Sequence, residues 1–414
     1  MASELESILE PVYEKIFSAP TESQLVVQDF AVIMIIASIM ALISFKLKQP
    51  MVMAYIAAGM IIGPFTPPFS LITNIEMLHV FAEIGIIVLL FVIGMEFPID
   101  KLKTIGKKAT IIALVEAFGT FALGYFAAQA MGFSLYDSMF VALAVSVTST
   151  VIVMRVLEEM NMINEDAANL IVGVAVIEDI IIISMLAILQ SIASTGGLSP
   201  VEISISVGFV AAFIIGAIVV GTRTVPRYVN IIGKTGHNEF VIIAMLGLAF
   251  GLSAIAFKLG ISVATGAFFA GVLVAGTKMR LTTKNLALPI RDMFAALFFI
   301  SVGGLMDVRQ VQVFILPAIV LVAVSFTAKF FTVWISAKML GFGKKISLRS
   351  GFGMSSSGGE IALVTAKGGA DVGVTSAFLL PLVGTMTIIT TFFSPYVIKY
   401  GWKLTDRLTK KAST

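Results

Sequence analysis

The chain has 414 residues, 58% of them hydrophobic and 13% charged, with a net charge of +3 and no cysteine. A charged fraction about half that of a soluble domain cannot furnish a water-facing surface, and the lack of cysteine excludes disulfides and thiolate metal sites. The slight positive balance would suit an acidic partner, but the basic residues are distributed as lipid topology requires, so no nucleic-acid partner is expected.

Residues 1–26 carry Glu4, Glu6, Glu10, Glu14 and Glu22 and read as an external polar arm without the basic start of a signal peptide. Apolar stretches follow at 27–45, 50–66, 78–95, 108–128, 137–157, 167–190, 202–221, 239–257, 261–277, 289–305, 312–336, 347–367 and 373–398. Each is long enough to cross about 30 Å of hydrocarbon at about 1.5 Å per residue. They predict an all-α polytopic membrane protein of about 13 transmembrane helices, with residues 399–414 as a short cytoplasmic tail.

Lys and Arg orient the spans. Alternating loops place 23 of them on one side and four (Lys15, Lys258, Arg309 and Lys367) on the other, with Lys329 inside a span. Positive charge collects on the cytoplasmic side, so the N-terminus is expected outside and the C-terminus inside, which requires an odd number of crossings. Spans one to six would then form a unit that starts outside, and spans eight to thirteen a unit that starts inside. That arrangement makes two inverted-topology repeats, a construction found in transporters with discontinuous helices.

Polar interruptions fall in corresponding spans: Ser146-Val147-Thr148-Ser149-Thr150 in the fifth and Ser355-Ser356-Ser357-Gly358-Gly359-Glu360 in the twelfth. Both are expected to break the helix and expose backbone to a protein-lined space, because lipid does not tolerate unpaired peptide groups. Taken singly, such residues, like Gly59, Gly63, Gly266 and Gly271, also serve close helix packing.

Ionisable residues deep in a span are expensive and mark function. Glu178 and Asp179 lie mid-way along the sixth span, Asp179 about 18 Å from its inner end. Neighbours on a helix point about 100° apart, so the two carboxylates are expected to have separate roles. Asp179 is the candidate to hold, by its oxygens, either a hard alkali cation or a proton. Lys329 in the eleventh span is expected to pair with Glu178 or Asp179, or with Glu116 of the fourth span. Glu360 is placed to bridge the twelfth span to a neighbour, and Glu83 and Glu96 sit nearer the ends of the third.

The order Thr148-Ser149-Thr150-Val151-Ile152-Val153-Met154, then Glu178-Asp179-Ile180, then Lys329, then Gly359-Glu360-Ile361-Ala362 resembles the monovalent cation:proton antiporter superfamily, in its sodium/proton antiporter and potassium-efflux-like branch. The resemblance implies a homodimer with crossed discontinuous helices, dimerisation or scaffold helices in 27–95 and 239–305, core helices in 108–190 and 312–398, and a linking helix at 202–221. It implies a secondary antiporter in the cell inner or plasma membrane, exchanging Na+ or K+ for H+ by alternating access. Ion and proton binding fall on Asp179 and Glu178, which would also be the ligands of Na+ or another alkali cation. Support for the site falls on Thr148, Ser149, Thr150, Glu116, Lys329, Ser357 and Glu360. Glutamate at 178 departs from the family's usual residues there, and Lys329 matches the lysine of electrogenic members. No enzymatic activity and no cofactor are implied, since neither Gly-x-Gly-x-x-Gly nor a Walker loop occurs. About 16 residues after the last span are too few for the nucleotide-binding domain that many potassium-efflux proteins carry.

Two other classes fit the same pattern: a sodium-coupled organic-anion symporter, with half-helix N-termini receiving the anion, and a non-transporting membrane scaffold. The basic bias gives a direct test of orientation. Reporter fusions at the two termini are expected on opposite faces, the C-terminal one in the cytoplasm, and both in one compartment would remove a crossing.

Overall fold

A computed structural model of the chain describes residues 22–47, 50–68, 70–96, 106–195, 200–259, 263–277, 279–307, 309, 311–356 and 358–410. Residues 1–21 of the arm, Lys48, Lys101, Lys103 and Ser357 lie outside the described residues. Among the described residues there are fifteen helices: α1 (Glu22–Leu47), α2 (Met51–Ile62), α3 (Ile75–Glu96), α4 (Lys107–Ala130), α5 (Leu135–Ser146), α6 (Thr150–Glu159), α7 (Asp166–Thr195), α8 (Pro200–Gly233), α9 (Asn238–Lys258), α10 (Val263–Ala275), α11 (Arg280–Gly304), α12 (Val311–Met339), α13 (Lys344–Met354), α14 (Glu360–Asp371) and α15 (Leu379–Lys410). Nine of these described helices are long and apolar enough to cross a membrane. The shorter α2 and α10 are apolar too, and α5/α6 and α13/α14 are halves of the two interrupted spans.

The helices pack in two groups. In one, α3 lies against α10 and α11, α2 against α11 and α1, and α9 against α10. In the other, α4 lies against α5, α7 and α12, α13 against α12, α7 and α15, and α14 against α5 and α15. Helix α8 touches α7 of the second group and α9 and α10 of the first.

With lipid on the outside there is little hydrophobic drive between helices, so close backbone approach supplies the packing energy. Glycine makes that approach possible in the first group. A Cβ added at Gly271 of α10 would run into the Phe91 carbonyl of α3 and stand 2.9 Å from the Cα of Gly94. One added at Gly59 of α2 would meet the Ile300 carbonyl and lie 2.9 Å from the Cα of Gly303 in α11. A Cβ added at Gly266 would similarly stand 2.7 Å from the Cα of Ser253 in α9.

Four helices depart from the lengths that apolarity suggests, among them α11, which begins at Arg280 where the apolar stretch begins at 289. The linking helix, expected over 202–221, runs on to Gly233 as α8. Its hydropathy stops at Arg223, yet Thr222 and Thr224 return their hydroxyls to the carbonyls of Ile218 and Val220, and the helix continues through Pro226. The second span shortens to the 12 residues of α2. The expected tail is helical to Lys410 as the continuation of α15, because Trp402 is wholly buried and donates to the Arg349 carbonyl at 3.0 Å.

The α3–α10 contact predicts a contrast between glycines. Gly271→Ala is expected to lower the melting temperature in detergent, with a cost of about 1–3 kcal/mol for overpacking. At Gly208, where an added Cβ meets nothing, Gly→Ala is expected to be neutral or stabilising.

Candidate functional site

The site begins with two breaks. After Ser146 the chain turns extended through Val147 (φ −72°, ψ 130°) and Ser149 (φ −81°, ψ 91°) before α6 begins at Thr150. β-Branched and hydroxyl residues weaken a helix by crowding it and by competing for its peptide groups. The second break opens at Ser355 and passes through Gly358 (φ 88°) and Gly359 (φ 101°), a left-handed region that glycine enters without cost.

The two extended segments cross and pair. Ser149 N–H donates to the Ser356 carbonyl at 3.0 Å, and Gly358 N–H donates to the Val147 carbonyl at 3.1 Å. Peptide groups that would be orphaned in hydrocarbon are thereby satisfied. Around the crossing stand the C-terminal end of α5 and the N-terminal ends of α6 and α14, which bring partial negative and positive charge to the centre of the protein.

Lys329 of α12 approaches the negative end and is wholly buried. Its Nζ donates to Glu116 Oε1 at 2.8 Å, to the Ser146 carbonyl at 2.6 Å and to Thr148 Oγ1 at 2.7 Å, with Glu178 Oε1 farther away at 3.4 Å. Thr120 adds a hydroxyl to Glu116 Oε1 at 3.3 Å. Of the partners open to Lys329 on sequence grounds, Glu116 is therefore the nearest and Glu178 the second.

Glu178 and Asp179 separate as their helical spacing requires. Glu178 is wholly buried and accepts the Thr148 N–H at 2.6 Å. Asp179 is partly buried on the next face of α7, where Thr150 Oγ1 of the α6 N-terminus donates to its Oδ2 at 3.5 Å. The second oxygens of Glu116 and Glu178 are buried without a hydrogen-bond partner. A buried acceptor in that condition is costly until it is filled. The crossing thus gathers hard oxygen donors in a setting where an alkali cation or a proton lowers the cost of buried negative charge.

Thr148, Thr150, Glu116, Lys329, Glu178 and Asp179 all fall on this crossing, and Ser149 contributes its backbone N–H while its Cβ lies against Gly359. The Glu360 side chain, like Ser357, lies outside what is described. Ser146, named in the sequence as the start of the break, acts through its carbonyl, whereas sequence reasoning passed over the hydroxyl face of α15. Thr387, Thr390, Thr391 and Ser394 are all buried there, and their spacing of three, four and seven residues was a readable helical stripe. It also passed over Asp29, buried in α1 away from the crossing.

A helical bundle with two interrupted helices crossed at a protein-lined centre, ringed by buried acids and one lysine, defines a class of secondary transporters with discontinuous helices. Over residues 32–400 the chain matches the family described as sodium/hydrogen exchanger, transmembrane. It belongs to that family. NhaS3 of Synechocystis, named a high-affinity Na+/H+ antiporter, is 30% identical over 77% of this chain and 70% of its own length. GerN of Bacillus cereus, named a Na+/H+-K+ antiporter, is 26% identical over 92% of this chain and 97% of its own. YbaL of Escherichia coli is 32% identical over 66% of this chain, which spans half of that longer relative. The structure of the sodium proton antiporter MjNhaP1 from Methanocaldococcus jannaschii shares the fold, with a TM-score of 0.73 at 15% identity over 93% of this chain and all of that one.

The crossing predicts a specific intolerance. An alanine Cβ at Gly358 would stand 2.6 Å from Thr390 Oγ1, and one at Gly359 3.1 Å from the Ser149 Cβ, both at positive φ. The Gly358→Ala/Gly359→Ala variant is expected to lose about 1–2 kcal/mol per site, seen as a lower melting temperature, and to lose exchange in vesicles. Gly208→Ala is expected to lose neither.

Proposed function

We propose that this chain exchanges a monovalent cation, Na+ in the first instance, for H+ by alternating access, with Asp179 carrying the exchanged species. The observation that carries the reading is the position of Asp179. It is half-buried on α7 beside the N-terminus of α6, one residue from a fully buried Glu178 and at the only crossing of interrupted helices among the described residues. Cation and proton compete there for the same carboxylate oxygens, so occupancy by one displaces the other. Exchange follows if the occupied site is shown to each side in turn. Glu178, anchored on the Thr148 N–H, sets a second carboxyl group beside it.

The names of NhaS3 and GerN support Na+ as the cation, and that of GerN adds K+. Thirteen crossings, an external N-terminus and a cytoplasmic C-terminus complete the reading. They draw support from the 23-to-4 basic bias and from the pairing of α5 with α6 and of α13 with α14 as halves of single spans. The group containing α1–α3 and α9–α11 is proposed as the scaffold and dimer contact, and the group containing the crossing as the moving core. The packing of α8 against both suits a link.

Asp179→Asn keeps the side chain's size and removes its charge. In proteoliposomes with a cation gradient and no organic substrate, the unmodified protein is expected to acidify or alkalinise the lumen as the gradient dictates. The folded Asp179→Asn protein is expected to be at least about a hundredfold slower, because an amide neither binds the exchanged proton nor balances the cation. Full activity of that variant would remove Asp179 from the mechanism, and uptake only with an organic anion present would favour the symporter.

A further inference from the structure

A cleft of about 480 Å³ opens where the N-terminus of α13 meets that of α7, at the end of the core read as cytoplasmic. Small ligands occupy pockets of roughly 300–1,000 Å³. From the donors that face this cleft we infer that it is a phosphate site, taking either a free phosphate ion or the phosphate group of a larger molecule.

Helix α13 starts after Gly343, which has no side chain to cap it, and its first backbone bond runs from the Ser347 N–H to the Gly343 carbonyl. The N–H groups of Lys344, Lys345 and Ile346 therefore have no acceptor within the helix, and an exposed helix start of this kind attracts anions. Arg349 of the same helix is a second and independent attractor. It lines the cleft at 3% exposure, and the Trp402 ring, 4.6 Å from its Cζ, holds the guanidinium plane. Its Nη2 donates to Asp406 at 2.7 Å, but Nε and Nη1 donate no hydrogen bond among the described residues. Buried donors without an acceptor are costly, and a guanidinium fork matches the oxygens of a phosphate. Three carboxylates stand near. Asp406 is taken by Arg349 and lies 3.7 Å from Lys345, and Asp166 complements the N-terminus of its own helix. Glu165 lies 3.2 Å from Arg349 Nη1 without bonding to it and is 46% exposed. It thus holds the place of a better acceptor, and it can turn out to water when a phosphate takes Nε, Nη1 and the first-turn N–H groups together. A ligand so bound ties α13, which leads into the second break, to the start of α7, which carries Glu178 and Asp179.

Binding is read without transport, so the test stands apart from the antiporter reading. The full chain in detergent is titrated with inorganic phosphate at constant ionic strength, and its melting temperature is followed. A saturable rise is expected, with none from chloride. Lys344→Gln/Lys345→Gln, at two exposed positions, is expected to raise the phosphate concentration at half-saturation by about tenfold or more. Glu165→Gln removes the competing carboxylate and is expected to lower it by about threefold or more. A Glu165–Arg349 contact that serves only to hold the fold gives the opposite result, a lower melting temperature with no gain in binding. The same titration with micelles carrying phosphatidic acid, against micelles carrying phosphatidylcholine, separates the two sources of phosphate. Saturation by inorganic phosphate assigns a ligand from the aqueous phase, whereas a response to phosphatidic acid alone, altered in the same sense by both variants, assigns a lipid headgroup. Either supports the site. No response to either phosphate overturns it, as does a response equalled by chloride or unchanged in both variants.

Discussion

A single ammonium group organises the centre of this protein. Lys329 draws together α4 through Glu116, the end of α5 through Ser146 and the unwound segment through Thr148. Those three oxygens come from three separate parts of the chain, and each would be costly to bury without a cation. The helix break also depends on it. Ser146 offers its carbonyl because α5 stops there, and α5 stops there in a place where a lysine receives that carbonyl.

The unwound segments are usable only because they face each other. One backbone bond runs each way between them, Ser149 to Ser356 and Gly358 to Val147, so each broken helix supplies what the other lacks. The Cβ-free approach at Gly359 lets the second segment lie close to Ser149 of the first, and that at Gly358 lets it lie close to Thr387 and Thr390 of α15. Positive and negative helix ends then meet at one point, and carboxylates on an unbroken helix, α7, can address that point without being part of the break.

Much of this was legible in the amino-acid sequence for physical reasons. Hydrocarbon enforces its solvent rules on every residue, so the apolar spans and the out-of-place Glu178-Asp179 pair stand out from composition alone. The two hydroxyl- and glycine-rich interruptions were visible because nothing else in an apolar helix accounts for them. Lys329 could be picked out, but not its partner: the sequence left Glu178, Asp179 and Glu116 open, and only the packing of α4 against α12 brings Glu116 to 2.8 Å. The extents of α8 and α15 were hidden for another reason. Hydropathy reports where lipid ends, whereas a helix runs on for as long as its peptide bonds and packing hold it, and the buried Trp402 holds α15 beyond the apolar limit.

The length of α15 has a mechanical meaning. At about 1.5 Å per residue its 32 residues extend about 48 Å, well past a hydrocarbon layer of about 30 Å. Its C-terminal half is joined to both interrupted helices, by Lys399 to Glu159 at the end of α6 and by Arg349 of α13 to Asp406 at 2.7 Å. Its N-terminal half lies against the crossing, with Thr387 and Thr390 beside Gly358. One helix thus has its far end among charges open to water and an earlier stretch beside the buried oxygens, with Pro395 between them as a place where it can bend.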